Sequence, residues 1–203
     1  MKSYSINEVF TSLQGEGVRA GTANVFVRFA GCNLQCNGEE VGGVFQPICD
    51  TNFSGGRALQ LGQLIDEIEQ IGGKCRNVIL TGGEPALQVD AALVEALKER
   101  GWHIAIETNG TRELPAGIHW ICVSPKTAEH TMRVKVASEV KYVLHAGQAL
   151  PKPSIDARFY VISPAFQPDG SLLRADLEWC VQLVKENPKW RLSTQQHKVW
   201  RVR

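Results

Sequence analysis

The sequence has no run of five or more basic residues and almost no net charge: 22 Lys and Arg stand against 21 Asp and Glu, leaving a formal +1 at pH 7. Long nucleic acids and anionic membranes are held largely through clustered positive charge, so neither is an expected partner, and a small molecule is the better expectation. A long apolar run is also missing. Residues 1–10 break up their hydrophobic positions with Lys2, Asn7 and Glu8, which fits neither a signal peptide nor a membrane span; the expected location is the cytoplasm. There are no internal repeats, low-complexity tracts or linker-like stretches. At 203 residues and 43% hydrophobic content, the chain suffices for one sizeable core, and a single domain over residues 1–203 is expected. Six cysteines in a chain that is neither short nor secreted read as thiols, some of them metal ligands, rather than as disulfides.

What is present is an alternation of strand and helix signals. β-Branched and aromatic runs recur at residues 24–29, 77–81, 103–107, 119–123, 139–144, 158–162 and 190–194. Between some of them, apolar residues fall at spacings of three and four. One such stripe is Leu61, Leu64, Ile65, Ile68 and Ile71, closed by Gly72-Gly73; another is Val89, Leu93, Ala96 and Leu97 before Gly101; a third is Leu177, Cys180, Val181 and Val184 before Pro188. Strand-helix-strand alternation implies parallel strands with right-handed crossovers. The class is α/β, with ligand sites at the carboxyl ends of the strands in either an open sheet or a barrel. Helix is scarce between residues 107 and 123, so a full eight-fold barrel does not fit the length; a partial, open (β/α) barrel of about six parallel strands does.

The chemistry centres on cysteine. Gly31-Cys32-Asn33-Leu34-Gln35-Cys36 follows directly on an expected strand, and Cys49 closes a Gly-rich loop bounded by Pro47. Three thiolates leave a tetrahedral or cuboidal metal site one ligand short, and that open position is where a substrate or cofactor coordinates. A structural zinc site would need a fourth ligand, and no His or Cys lies between Cys36 and Cys49. Cys75, Cys122 and Cys180 read as packing residues.

A cysteine triad beginning CX3C after the first barrel strand, followed by Thr81-Gly82-Gly83-Glu84-Pro85 at the end of a later one, resembles the radical S-adenosylmethionine superfamily. The resemblance implies a 4Fe-4S cluster held by Cys32, Cys36 and Cys49, its fourth iron chelated by S-adenosylmethionine, which electron transfer cleaves to a 5'-deoxyadenosyl radical. The spacing departs from the usual CX3CX2C, because twelve residues separate Cys36 from Cys49. Where deazaguanine synthases stretch this loop, the long gap falls before a closely spaced final pair; here the position three before Cys49 is Gln46, and the role of second ligand passes to Cys36.

Leu13-Gln14-Gly15-Glu16-Gly17, Arg28-Phe29-Ala30-Gly31-Cys32-Asn33-Leu34, Cys49-Asp50-Thr51, Ile106-Glu107-Thr108-Asn109-Gly110, Val123-Ser124-Pro125-Lys126 and Trp190-Arg191-Leu192-Ser193 with Gln195, His197 and Lys198 together resemble the 7-carboxy-7-deazaguanine synthase family over nearly the whole chain. That family contracts the ring of 6-carboxy-5,6,7,8-tetrahydropterin, with loss of ammonia, on the way to queuosine and other deazapurines. The resemblance implies that Leu13, Gln14, Gly15, Glu16, Arg28, Thr81, His197 and Arg203 contact substrate. It implies that Gly83, Ser124, Pro125, Lys126 and the loop Ser163, Pro164, Ala165 and Phe166 contact S-adenosylmethionine, and that Thr51 holds a magnesium ion. The residue types suit those tasks: Arg28 offers a planar fork for a carboxylate, and Gln14 and Glu16 can read a pterin's donor and acceptor edge. Glu107 and Asn109 are either cofactor ligands or buried strand-end polar groups. The resemblance further implies a cluster loop at 32–49, a C-terminal segment of about 190–203 that covers the substrate, a homodimer and an electron donor such as flavodoxin. The rival readings are another radical S-adenosylmethionine enzyme, such as a glycyl-radical activase, and a non-catalytic zinc-binding module.

Overall fold

The computed structural model describes residues 2–49 and 51–203. Its strands and helices run β1 (Ser3–Leu13), β2 (Ala23–Phe29), β3 (Glu40–Val41), β4 (Val44–Phe45), β5 (Arg57–Gln60), α1 (Leu61–Gly72), β6 (Asn77–Gly82), α2 (Ala91–Glu99), β7 (His103–Thr108), β8 (Trp120–Val123), β9 (Val136–Leu144), β10 (Asp156–Pro164), α3 (Arg174–Glu186), β11 (Trp190–Leu192) and α4 (Gln196–Trp200). Nine strands form one sheet in the order β11-β10-β9-β8-β7-β6-β2-β1-β5, while β3 and β4 pair separately. From β2 to β11 every neighbouring pair is parallel. This is the α/β architecture expected. Seven strands are parallel, one for each expected β-rich run and one more than the approximate six expected of the barrel. The sheet order ends at β5 and β11 without joining them, so the barrel is open. Among the described residues no helix is long and apolar enough to cross a membrane.

The apolar stripes became the helices. In α1, Leu64, Ile65 and Ile68 are wholly buried, each contributing about 1.5–3 kcal/mol by leaving water. They pack on Val25, Val27, Val78 and Leu80 of β2 and β6. The α2 helix is capped by Asp90, which accepts from Leu93 N at 3.0 Å while also receiving Lys2 and the Tyr4 hydroxyl, and so ties β1 to the helix. In α3 the buried face is Asp176, Cys180 and Leu183. Of the expected stripe Leu177, Cys180, Val181 and Val184, Cys180 is buried and Val184 packs against the core, whereas Val181 is exposed.

Four strands lie outside the expected runs: β1, β5 and the short β3 and β4. β1 pairs antiparallel with β2 and β5, and an irregularity between Ile6 and Glu8 shifts its register. Tyr4 and Ile6 are buried and Val9 packs on the same core, so the period-two pattern changes phase midway. On the far side of the shift, Phe10 stacks on Phe26 of β2 at 5.2 Å.

Candidate active site

A cavity of about 430 Å³ opens at the carboxyl ends of the parallel strands, the end that carries ligand sites in such folds. Its wall takes Arg28 from β2, Thr81 to Gly83 from the end of β6, Glu107 to Asn109 from β7, Ser124 and Lys126 after β8, Lys141 from β9, and Ser163 and Pro164 from β10. Arg28 and Thr81 are register partners across β2 and β6. The loop after β1 contributes Leu13, Gln14, Gly15 and Glu16, and the cluster loop adds Cys32, Cys36, Cys49 and Thr51. Phe166, His197 and Arg203 complete it. Pro125 and Ala165 do not reach the cavity; both are buried behind its wall. Asp50, part of the Cys-Asp-Thr triplet, lies outside the described residues.

All three thiols line this one cavity. Cys49 N donates to Cys36 O at 3.3 Å, and Leu34 N approaches Cys32 Sγ at 3.4 Å. Burial raises the Cys32 and Cys36 thiols, with Cys49 adding to both, while the Lys126 charge pulls Cys36 the other way. Among the described residues no three His, Cys, Asp or Glu side chains meet closely enough to enclose one ion. A cuboidal cluster does not require that: each thiolate binds a different iron, so the thiols must surround a cube rather than converge on a point. Three cysteines bordering one space, with no fourth, are a donor set that fits such a cluster. Cys75 and Cys180 lie away from the cavity, Cys75 beside Ala23 O at 3.4 Å and Cys180 in the core under α3. Cys122 is buried against Glu139.

Other parts of the lining are polar and densely paired. Lys141 Nζ binds Glu16 Oε2, and Gln14 Nε2 donates to Glu107 Oε1 at 2.5 Å. Burial alone would push the Glu16 carboxyl up, but Lys141, aided by His197 and Lys126, more than offsets it and holds Glu16 below the usual range. Burial, and after it the charge of Lys141, lowers Lys126 to about 8, and its Nζ donates to Ser124 Oγ at 2.6 Å. Glu139 anchors the far side of the Leu13 to Gly17 loop by accepting from Val18 N at 2.8 Å. Gly17, at φ +67°, passes so close that a Cβ there would lie 2.0 Å from Glu139 Oε1.

Arg28 Nε donates to Glu8 Oε1 at 2.8 Å, and Arg203 pairs with the other oxygen of Glu8 while covering the Phe10 ring at 4.4 Å. One carboxylate thereby joins the strand arginine to the C-terminal residue. Gln196 N donates to Gly15 O at 2.9 Å, Ser12 Oγ donates to Arg203 O at 2.6 Å, and a Cβ on Gly15 would collide with the His197 ring. The C-terminal segment lies over the Leu13 to Gly17 loop. The Gly82-Gly83-Glu84-Pro85 stretch does two jobs. Gly83 runs against Gly31, where an added Cβ would stand 2.0 Å from the carbonyl oxygen. Glu84 is 1% exposed and accepts from Ala86 N, Thr108 Oγ1 and Asn109 N at 2.9, 2.6 and 2.7 Å. It both caps the turn at Pro85–Leu87 and links β6 to β7.

Sequence reasoning missed Phe10, Phe26 and Lys141, all of which line the cavity, and Glu8 behind them. A signal existed for two of them. Phe26 and Arg28 stand two apart on the face opposite Val25, Val27 and Phe29, and Lys141 interrupts an otherwise apolar stretch of a strand buried on both faces.

Residues 26–142 match the family model of the Radical SAM superfamily, and the class is therefore that of radical S-adenosylmethionine enzymes, which implies a 4Fe-4S cluster and S-adenosylmethionine. The chain is 41% identical to a 7-carboxy-7-deazaguanine synthase of Bordetella pertussis over 97% of each chain, and 40% identical to one of Bradyrhizobium diazoefficiens over 99% of this chain and all of that one. It superposes on the crystal structure of QueE from Escherichia coli with a TM-score of 0.69 at 25% identity, covering 96% of this chain and 95% of that one. The chain belongs to the 7-carboxy-7-deazaguanine synthase family.

Proposed function

We propose that the chain contracts the ring of 6-carboxy-5,6,7,8-tetrahydropterin to 7-carboxy-7-deazaguanine with loss of ammonia. The observation that carries this reading is a single cavity lined both by three thiols and by Gln14, Glu16, Arg28 and Thr81. Cys32, Cys36 and Cys49 would hold the cluster, and Gly83, Ser124, Pro125, Lys126 and the loop Ser163, Pro164, Ala165 and Phe166 would hold S-adenosylmethionine. Pro125 and Ala165 serve there by shaping the backbone, since their side chains are buried. When bound, the cluster and S-adenosylmethionine supply the radical that removes a hydrogen atom from substrate; the protein's part is placement and electrostatics.

Arg28 is held at Nε by Glu8, which directs its terminal N–H groups toward a substrate carboxylate. Glu16 is kept ionised by Lys141, so it accepts from the amine-rich edge of a pterin, and Gln14, steadied by Glu107, supplies a neutral amide beside it. Leu13 and Gly15 shape the same loop, Thr81 offers a hydroxyl next to Arg28, and His197 and Arg203 close the cavity from the C-terminal side. Thr51 would contribute one oxygen to a magnesium ion whose other ligands are waters and substrate oxygens. The reading includes one domain over residues 1–203, with a cluster loop at 32–49 and a covering segment of about 190–203, a cytoplasmic homodimer, and an electron donor such as flavodoxin.

The test is a product assay. Anaerobically reconstituted protein, given the tetrahydropterin, S-adenosylmethionine, magnesium and a reductant, is expected to yield 7-carboxy-7-deazaguanine and one ammonia per product. An intact cluster that cleaves S-adenosylmethionine without forming that product would reject the substrate assignment.

A further inference from the structure

The gap between Cys36 and Cys49 is not an unstructured excursion. Its tip is the β3–β4 hairpin, which pairs Val41 with Val44 and Glu40 with Phe45. Beyond the paired tip the two arms turn at Gly38, at φ +87°, yet stay in backbone contact: Gln46 N donates to Glu39 O at 2.8 Å, and Cys49 N donates to Cys36 O at 3.3 Å. Cys36 and Cys49 are therefore joined by a backbone hydrogen bond at the base of the hairpin loop, although twelve residues separate them in sequence. Gln46, which occupies the place of a closely spaced thiol, is bonded through its backbone to Glu39, is 5% exposed and does not line the cavity, whereas Cys36 does.

The hairpin is also docked. Val44 is buried in the core that includes Val123 and Val140, and the Phe45 ring meets His145 edge-on at 4.1 Å. Gly42, at φ +59°, passes Ala128 so closely that a Cβ would lie 2.3 Å from that side chain. A free loop of this length would leave Cys36 to wander relative to Cys49; a docked hairpin with its arms bonded at the base restrains it.

We propose that this hairpin is the positioning element of the cluster site. Closing its arms brings Cys36 and Cys49 into backbone contact, and its anchor at Val44 holds the pair at the cavity, so that Cys36 replaces the thiol missing at position 46. The inference rests on the reading of the cavity as a cluster site and concerns which thiols serve it and what places them.

The test reads iron and sulfide per chain and the electron paramagnetic resonance signal of the reduced cluster after anaerobic reconstitution. Far-UV circular dichroism and the thermal midpoint of the cluster-free protein report folding. Insertion of one glycine between Gly42 and Gly43 shifts the register by one, and Val44→Asn removes the anchor. Both are expected to lower cluster retention by about tenfold or more with the fold intact, in the range seen when supporting residues around metal ligands are lost. Val41→Thr, on an exposed hairpin position, is expected to change nothing. In a background of Cys36→Ala, which should itself lose the cluster, Gln46→Cys is expected not to restore it, because residue 46 points away from the cavity. Full cluster content in Cys36→Ala or in the register variant, or recovery by Gln46→Cys, would overturn the proposal. Failure of the ring-contraction reading is separate: it would appear as a fully loaded cluster with no 7-carboxy-7-deazaguanine.

Discussion

Lys141, on β9, reaches across the inside of the sheet to the carboxylate of Glu16, 125 residues earlier in the chain. Its side chain is 9% exposed, and the pairing keeps an otherwise costly buried ammonium charged. The partner it holds is one of the residues proposed to read the pterin edge, so Lys141 acts on substrate through Glu16.

Lys141→Met is accordingly expected to raise KM for the tetrahydropterin by about tenfold, the worth of one charge-assisted hydrogen bond, with a smaller effect on kcat. Lys141→Arg should recover part of it. Steady-state kinetics on cluster-loaded protein checks this, and an unchanged KM would detach Lys141 from substrate binding.

Lys126 carries a pH signature. Its ammonium loses its proton near pH 8 in the fold against an ordinary value of 10.5, chiefly because burial and then Lys141 disfavour the charge. The unfolded chain holds that proton more tightly, so the destabilisation is fully present below about pH 8 and fades as pH rises toward about 10.5. In the cluster-free protein, the urea midpoint of Lys126→Met relative to the native chain should fall as pH rises across that window. A difference that stays constant or grows would contradict the assignment.

Glu84 supplies the acceptor for two buried donors on β7 and for Ala86 N. Glu84→Ala leaves Thr108 Oγ1 and Asn109 N without it, at about 1–3 kcal/mol for each. A loss of at least about 2 kcal/mol in urea denaturation is expected, with Glu84→Gln milder because one acceptor oxygen remains.

Gly83→Ala would set a methyl group 2.0 Å from the Gly31 carbonyl oxygen. Neither backbone has room to yield, since Gly83 N and Glu84 N already bond Phe29 O and Gly31 O at 3.0 and 2.9 Å. Equilibrium binding of S-adenosylmethionine to the cluster-loaded variant should weaken by about tenfold or more, the scale of a displaced metal-site support; native affinity would place the cofactor elsewhere.

Much of this was legible in the sequence where a single physical signal dominated. The Leu64, Ile65 and Ile68 stripe specified α1 because one apolar face has only one way to be buried, and the seven β-rich runs each became a parallel strand. The β1 strand was hidden because its register irregularity between Ile6 and Glu8 breaks the alternation that announces a strand. The site followed the same division. Cys32, Arg28 and Thr81 stand in local motifs, and 18 of the 20 residues expected at the site, all except Pro125 and Ala165, line one cavity. Glu8, Phe10 and Lys141 belong to no local motif; they matter through partners distant in the chain, and only the folded sheet brings Glu8 to both Arg28 and Arg203.

The account depends most on three thiols serving one cluster. Iron and sulfide content, measured with product yield for Cys32→Ala, Cys36→Ala, Cys49→Ala and the control Cys75→Ala, tests it directly. The expected result is a full 4Fe-4S complement and native product yield in the Cys75 variant, with cluster and product lost together in the other three. A full cluster in any of those three, or its loss from the Cys75 variant, would contradict the assignment.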